Sequence, residues 1–251
     1  IPTMVKQGFY IAETGRPGPV LLDIPKDVQQ NEGKFTFPDE VRVPGYHPWA
    51  DPDITNTARA VELLLSAQKP IILAGGGVII SSAFAELQSI AELLMIPVVT
   101  TFKGKGAFPE NHPLSLGPIG MHGHAEANKL MTEADCVLAI GTRFSDRSVG
   151  TFAEFEKNLK IIHMDVDPAE IGKNQTTSVA VVGDVRASLR IFGKMLMDKA
   201  VRTSDDNPWL KHVKEVKQYW RENLKIHPGE MGAAKILRKL REILPKESIV
   251  T

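Results

Sequence analysis

The residues best suited to chemistry lie in Gly141-Thr142-Arg143-Phe144-Ser145-Asp146-Arg147. They follow an apolar run, Asp135-Cys136-Val137-Leu138-Ala139-Ile140, that predicts a buried strand. A glycine where such a strand stops lets the backbone turn sharply and approach a ligand closely. Arg143 and Arg147 then offer planar donor forks matched to phosphate or carboxylate. The alternative is a solvated surface pair, or a structural pairing with Asp146. Gly75-Gly76-Gly77 follows a second apolar run, Pro70-Ile71-Ile72-Leu73-Ala74. Three missing side chains would let a ligand lie against the backbone and let N–H groups point at phosphate, or would merely form a tight turn. The spacing is not G-x-G-x-x-G, so an ordinary NAD fingerprint is not supported.

Acidic residues close two further runs. Asp165-Val166-Asp167-Pro168 ends one, and Asp165 stands at about the distance from Gly141 at which an acid binds ribose hydroxyls. A carboxylate there could instead hold Mg²⁺, or cap the helix that follows. Gly183-Asp184 ends the next run, with capping as its plain structural role. His122-Gly123-His124 has no third ligand at metal-binding spacing and reads better as a turn beside a ligand; no metal site is expected. Lys26 is either a substrate-contacting base or a surface lysine, and the pattern favours the surface. No nucleophile elbow, Walker A loop or paired-cysteine motif is present.

The elements that must carry these residues alternate regularly. A helix over residues 4–14 is followed by a strand Val20-Leu21-Leu22-Asp23-Ile24, and residues 28–52 form a linker rich in proline and charge. Asp53 is placed to cap a helix with Ala58, Val61, Leu64 and Leu65 as its apolar stripe. Strand 70–74, a helix bearing Phe84, Leu87, Ile90, Ala91 and Leu94, strand 96–100, a helix over 123–133, strands 135–140, 160–165 and 179–182, and a helix over 185–198 complete a domain over 53–200. Such alternation predicts an α/β fold with a parallel sheet flanked by helices on both faces. Residues 201–208 read as a linker, and two amphipathic helices follow in 201–251. The last residues, 247–251, read as a strand just begun.

The 251 residues contain 30 Lys plus Arg and 30 Asp plus Glu, so no net field favours nucleic acid or an anionic membrane. No apolar stretch approaches the ~20 residues of a membrane span. The single cysteine, Cys136, lies in a predicted strand and reads as a small buried hydrophobe; one cysteine forms no internal disulfide, which fits a reducing compartment. A cytoplasmic protein is expected. The abrupt start at Ile1 and end at Thr251 suggest a piece of a longer polypeptide.

Several runs together resemble one family. Thr14-Gly15-Arg16-Pro17-Gly18-Pro19-Val20-Leu21-Leu22-Asp23-Ile24-Pro25-Lys26-Asp27-Val28 is similar to the end of the pyrimidine-binding domain of thiamine-diphosphate-dependent enzymes. Gly75-Gly76-Gly77, the run Gly104 to Pro113, and Gly117-Pro118-Ile119-Gly120-Met121-His122-Gly123 resemble their Rossmann-like (DHS-like) central domain. Gly141 to Arg147 and Ile162 to Asn174 narrow the resemblance to acetolactate synthase large catalytic subunits. On this resemblance residues 1–27 end the pyrimidine-binding domain, 28–52 are a linker, 53–200 form an FAD-binding central domain, and 201–251 open the diphosphate-binding domain.

The resemblance implies condensation of pyruvate with pyruvate or 2-ketobutyrate in branched-chain amino-acid synthesis. Thiamine diphosphate and Mg²⁺ would carry the chemistry and FAD would bind here. It implies flavin contacts at Arg16, Gly75, Gly76, Gly77, within His122 to Arg143 (Gly123, Gly141 and Thr142 included), and within Asp165 to Asp184 (Val166 included). Lys26, Met121, Asp146 and Arg147 would line the approach to the reaction centre, with Arg147 holding the acceptor's carboxylate. The chain departs from the family at Ser145, where aspartate is usual, and at Phe102-Lys103, where Leu-Met is common. Catabolic relatives without FAD generally lack the Arg-Phe-x-Asp-Arg motif, which favours the flavin-binding branch. The family's activating glutamate is expected before Ile1 and its Gly-Asp-Gly motif after Thr251, so this piece alone is expected to be inert. Implied partners are further catalytic subunits in a homo-oligomer and a small regulatory subunit. The rival readings are a non-catalytic ADP- or NAD-binding regulatory module, and another thiamine-diphosphate 2-ketoacid decarboxylase.

Overall fold

The computed structural model describes residues 1–48, 51–145, 159–199, 207–223, 232–245 and 247–248. Six strands form one sheet: β1 Pro70–Ala74, β2 Val98–Thr100, β3 Ser115–Pro118, β4 Cys136–Ile140, β5 Lys160–Asp165 and β6 Val179–Val182. Every pairing is parallel, and the order is β3-β2-β1-β4-β5-β6. The expected parallel sheet flanked by helices is therefore present, in the doubly wound order that reverses between β1 and β4. β1 and β4 are buried at every position because helices cover both faces.

Period-two alternation sorts the strand residues into two cores. Ile72, Val98, Leu138, Ile162 and Val181 face one layer. That layer holds α3 (Ile54–Leu65), α5 (Phe84–Leu94) and α7 (Val185–Asp198), with the short α4 (Gly76–Ile80) at the end of β1. Ile71, Leu73, Val99, Val137, Ala139 and Ile161 face the other, built from α6 (Ala125–Glu133) and α8 (Pro208–Asn223). Asp53 caps α3 as expected, accepting from the N–H groups of Thr55 and Asn56. At the amino ends of the strands, Asp135 accepts from the Gln68 and Lys69 N–H groups, tying the start of β4 to the start of β1.

Several elements differ from the sequence reading. Residues 20–24 form no strand and pair with none among the described residues, and Leu21 is 91% exposed. A strand needs a neighbour for its backbone groups; here Leu22 instead leans on Gly8 of α1 (Pro2–Glu13). Strand 96–100 shortens to Val98–Thr100. β3 was not expected, because Ser115-Leu116-Gly117-Pro118 lacks an apolar run. Lys26–Gln30, placed across a linker boundary by the sequence, forms the short α2. The final amphipathic helix, α9 (Ala233–Ile243), exists, but Ile236, Leu237 and Ile243 of its stripe are exposed. The proposed linker at 201–208 and strand at 247–251 fall largely outside the described residues. No helix among the described residues is long and apolar enough to cross a membrane.

α8 is tied to the sheet by a fully buried polar contact at its start and, further along, by Lys217, which donates to the Ser115 carbonyl of β3 at 2.7 Å. The Trp209 indole N–H donates to the Pro70 carbonyl at 3.0 Å, while Leu210, Val213 and Val216 bury its apolar side. Trp209→Phe keeps a ring but leaves that acceptor without its donor, a loss of about 1–3 kcal/mol. Thermal unfolding should show a clearly lowered midpoint; an unchanged midpoint would show that the indole bond contributes nothing to docking α8.

Candidate functional site

The loops leaving β1 and β4 meet directly above the point where strand order reverses. The Gly75 N–H donates to the Ile140 carbonyl at 2.8 Å, and the Gly77 N–H to the Gly141 carbonyl at 3.0 Å. The three glycines open α4 rather than a simple turn. A Cβ on Gly75 would sit 2.1 Å from the Gly141 oxygen, and one on Gly77 would sit 2.6 Å from the Gly141 Cα. Gly141 itself has φ +57 and would press a Cβ to 2.5 Å from the Gly77 Cα. Two backbones thus touch here with no room for any side chain. Gly76 is different. Its nearest neighbour is Lys103 at 3.4 Å, and its N–H has no partner among the described residues.

The loop after β2 closes over the same place. The Thr101 N–H donates to the Ala74 carbonyl at 3.0 Å, and the Thr101 hydroxyl accepts from the Gly104 N–H at 3.0 Å. A Cβ on Gly104 would lie 2.2 Å from the Ala74 oxygen, so Gly104 belongs to this glycine set, although the sequence marked it only as the start of the run to Pro113. Beyond β3, the Ile119 N–H bonds the Thr100 carbonyl at 2.9 Å, and the Asn128 side chain brackets Gly120 through both its N–H and its carbonyl. This loop carries Met121 and His122, both exposed, and Gly123, whose Cβ would meet the Pro118 carbonyl at 2.5 Å.

The turn after β4 alternates buried and exposed residues. Thr142 and Phe144 are buried and Arg143 is exposed, with no acidic partner among the described residues. The His163 Nε2 lies 2.8 Å from the Thr142 carbonyl, and the Asn174 amide donates to the Arg143 carbonyl at 2.8 Å. Burial lowers the His163 pKa, although its bond to Thr142 and the charge of Glu170 oppose that. The sequence did not single out His163, yet a polar residue inside the apolar run Lys160-Ile161-Ile162-His163-Met164 was a readable signal.

At the end of β5 the Asp165 carboxyl is pushed up to about 6, mainly by burial. One oxygen accepts from the Asp167 N–H at 2.9 Å, and the other has no hydrogen-bond partner among the described residues. Next to it, Arg16 bridges Asp167 at 2.9 Å and Glu170 at 2.6 Å, and Lys173 also reaches Glu170 at 3.1 Å. Burial raises the Glu170 carboxyl, but the bonds from Arg16 and Lys173 outweigh it and hold its pKa below the ordinary value. The Arg16 Nε and Nη2 groups make no hydrogen bond to the described residues. Asp184 accepts from the Ala187 N–H and caps α7. Lys26 is exposed at the start of α2, with no hydrogen bond or ion pair to this region among the described residues. Asp146 and Arg147 lie outside the described residues. Among the described residues no group of three or more His, Cys, Asp or Glu could hold a metal ion. Cys136 is buried and its thiol is pushed up to about 12 by that burial, which makes it an inert core residue.

The family described as thiamine pyrophosphate enzyme, central domain, matches residues 57–192. A probable acetolactate synthase large subunit of Methanocaldococcus jannaschii is 43% identical over 247 residues, covering 97% of this chain and 42% of that protein. The acetolactate synthase large subunit of Corynebacterium glutamicum is 42% identical over 233 residues, covering 93% and 37%. An acetolactate synthase of Mycobacterium leprae is 39% identical over 253 residues, covering 99% and 40%. The chain therefore spans about two fifths of the length of these relatives.

Two predictions test the geometry. Gly77→Ala should destabilise by roughly 1–3 kcal/mol or more, because the clash is with backbone, while Gly76→Ala should be near neutral; equal effects in denaturant titrations would contradict the close approach. Asp165 carries a raised pKa in the folded state, so the folded chain holds its proton longer than the unfolded one. Stability should then fall as pH rises from about 4 to about 6, by up to about 3 kcal/mol. Asp165→Asn should remove that portion of the dependence, and superimposable pH profiles of the two proteins would contradict the burial of its charge.

Proposed function

Because this chain belongs to the thiamine pyrophosphate enzyme central-domain family, we propose that it is the FAD-binding central portion of an acetolactate synthase large subunit. One observation carries the reading: the side-chain-free contact of Gly75 and Gly77 with Gly141 at the sheet's reversal point. A dinucleotide's pyrophosphate needs close backbone approach at this place. The residues around it suit the rest of such a ligand. The Gly76 N–H is uncommitted, and Arg143 is an exposed cation without an acidic partner among the described residues. Asp165 offers a carboxylate oxygen to ribose hydroxyls. Arg16 keeps donors for an anion beyond its two acids.

In this reading Thr142 and the loop bearing Met121, His122 and Gly123 flank the flavin, and the stretch from Asp165 and Val166 to Asp184 borders the adenosine half. Flavin, when bound, supplies a redox-capable ring that this carboligation does not turn over. Thiamine diphosphate supplies the carbanion chemistry of the family. In this reading the chain's part is to bind and orient the flavin and to shape the substrate approach. Lys26, Asp146 and Arg147 would line that approach. Arg147 would hold the carboxylate of the acceptor, pyruvate or 2-ketobutyrate, through a bidentate pair. The complete protein would act in the cytoplasm as a homo-oligomer of catalytic subunits with a small regulatory subunit.

Protein incubated with FAD and desalted should retain the yellow absorbance of bound flavin, more strongly at pH 7 than at pH 5, because ribose hydroxyls favour the ionised Asp165. A colourless protein after saturation would contradict the FAD site. In the complete protein, Arg147→Ala should lower kcat/KM for the acceptor ketoacid by roughly tenfold or more, one charge-assisted pair being worth about 1.5–3 kcal/mol. Flavin content should be retained; equal loss of flavin and of acceptor use would contradict the role of Arg147.

A further inference from the structure

We infer that His163 is a positioning residue for the dinucleotide site: neutral and protonated at Nε2, it holds the Thr142 carbonyl and so sets the turn that presents Arg143. His163 lies inside β5 on the face covered by α6 and α8, and it is 1% exposed. Its Nε2 faces a carbonyl oxygen at 2.8 Å, and a carbonyl only accepts, so the proton of the ring is on Nε2. Its Nδ1 is buried with no hydrogen-bond partner among the described residues. A second proton there would be a buried donor facing nothing, which the neutral ring avoids. The tautomer is thus set by one backbone oxygen.

The consequence reaches the ligand side of the turn. A trans peptide directs its N–H opposite to its C=O. With the Thr142 carbonyl held by His163 and the Arg143 carbonyl held by Asn174, the N–H groups of Arg143 and Phe144 are turned the other way. The Arg143 N–H has no partner among the described residues, and the Phe144 N–H has only the Thr142 hydroxyl at 3.5 Å. Phe144 adopts φ +49, a conformation unfavourable for a bulky residue. Its ring meets the His163 ring edge-on, with centroids 5.2 Å apart and planes at 83°. The imidazole therefore grips the turn twice, by hydrogen bond and by ring edge. An apolar residue at 163 would fill the same space among Ile161, Ala139 and Phe144 without burying an orphan nitrogen. A histidine kept there against that cost serves the turn rather than the core.

The geometry stands by itself; its effect on binding rests on the FAD reading above. Imidazole nitrogen NMR of the ¹⁵N-labelled protein at neutral pH should show His163 as the Nε2–H tautomer with a slowly exchanging proton. His163→Phe, which keeps a ring but no donor, should raise the Kd for FAD about tenfold, the equivalent of roughly 1.4 kcal/mol. His163→Gln, whose amide can donate, should recover most of that loss. A purely packing role would instead lower the melting temperature of the phenylalanine variant and leave its Kd unchanged. An Nδ1–H tautomer, an imidazolium, or equal FAD affinity in all three proteins overturns the inference. If the phenylalanine variant does not fold, the tautomer and the glutamine variant decide. If the unmodified protein binds no FAD, the dinucleotide reading fails while the NMR result still decides the tautomer.

Discussion

The contact between Gly75, Gly77 and Gly141 is the constraint on which the rest of the site depends. Two chains leaving adjacent parallel strands ordinarily diverge at the reversal point, each drawn to a helix on its own face. Here they touch, joined by the Gly77 N–H to the Gly141 carbonyl. Any Cβ would force the two backbones apart, and the sequence leaves none. Gly104 then approaches the end of β1 from the β2 side. The result is a bare backbone floor at the carboxyl end of the sheet, where the start of α4 offers the Gly76 N–H. Gly76 is the member of the triplet that the floor does not consume.

Around that floor, polar side chains are held both by backbone groups and by one another. The carbonyls of Thr142 and Arg143 are drawn back by His163 and Asn174. Asp165 takes the Asp167 N–H, and Arg16 reaches across from the first 27 residues to Asp167 and Glu170. Residues far apart in the chain are thereby fixed at the end of β5. Burial opposes the charge on Asp165 and on His163 alike, so each is an unmet group whose cost a ligand or a fixed tautomer must offset.

Much of this was readable in the chain because burial on both faces of a parallel sheet writes continuous apolar runs. The runs at 70–74 and 136–140, with glycines directly after them, located the two loops that meet. Asp53 and Asp184 could be read as caps from their place before apolar periodicity. The sequence failed where pairing decides structure. Val20 to Ile24 has a strand's composition but no strand beside it among the described residues, whereas Ser115 to Pro118 lacks that composition and is a strand because β2 lies beside it. Local propensity does not contain the identity of a neighbour. The same gap hid His163 and Asn174, whose roles exist only once β5 stands beside β4. Nor does the run of residues show how deeply Asp165 is buried or which of its oxygens takes the Asp167 N–H. The motif resemblance supplied what periodicity could not, the family itself, and the matching family over residues 57–192 agrees with it.

The central claim is that a dinucleotide lies over the glycine floor between β1 and β4. Amide chemical-shift mapping of the ¹⁵N-labelled protein titrated with ADP, the non-flavin half of FAD, tests it most directly. The account predicts that the Gly76 and Arg143 amides move with saturation. The Gln68, Lys69 and Asp135 amides, at the opposite end of the same strands, should stay still. Shifts clustered at that opposite end, or none at Gly76 and Arg143 at saturating ADP, would contradict it.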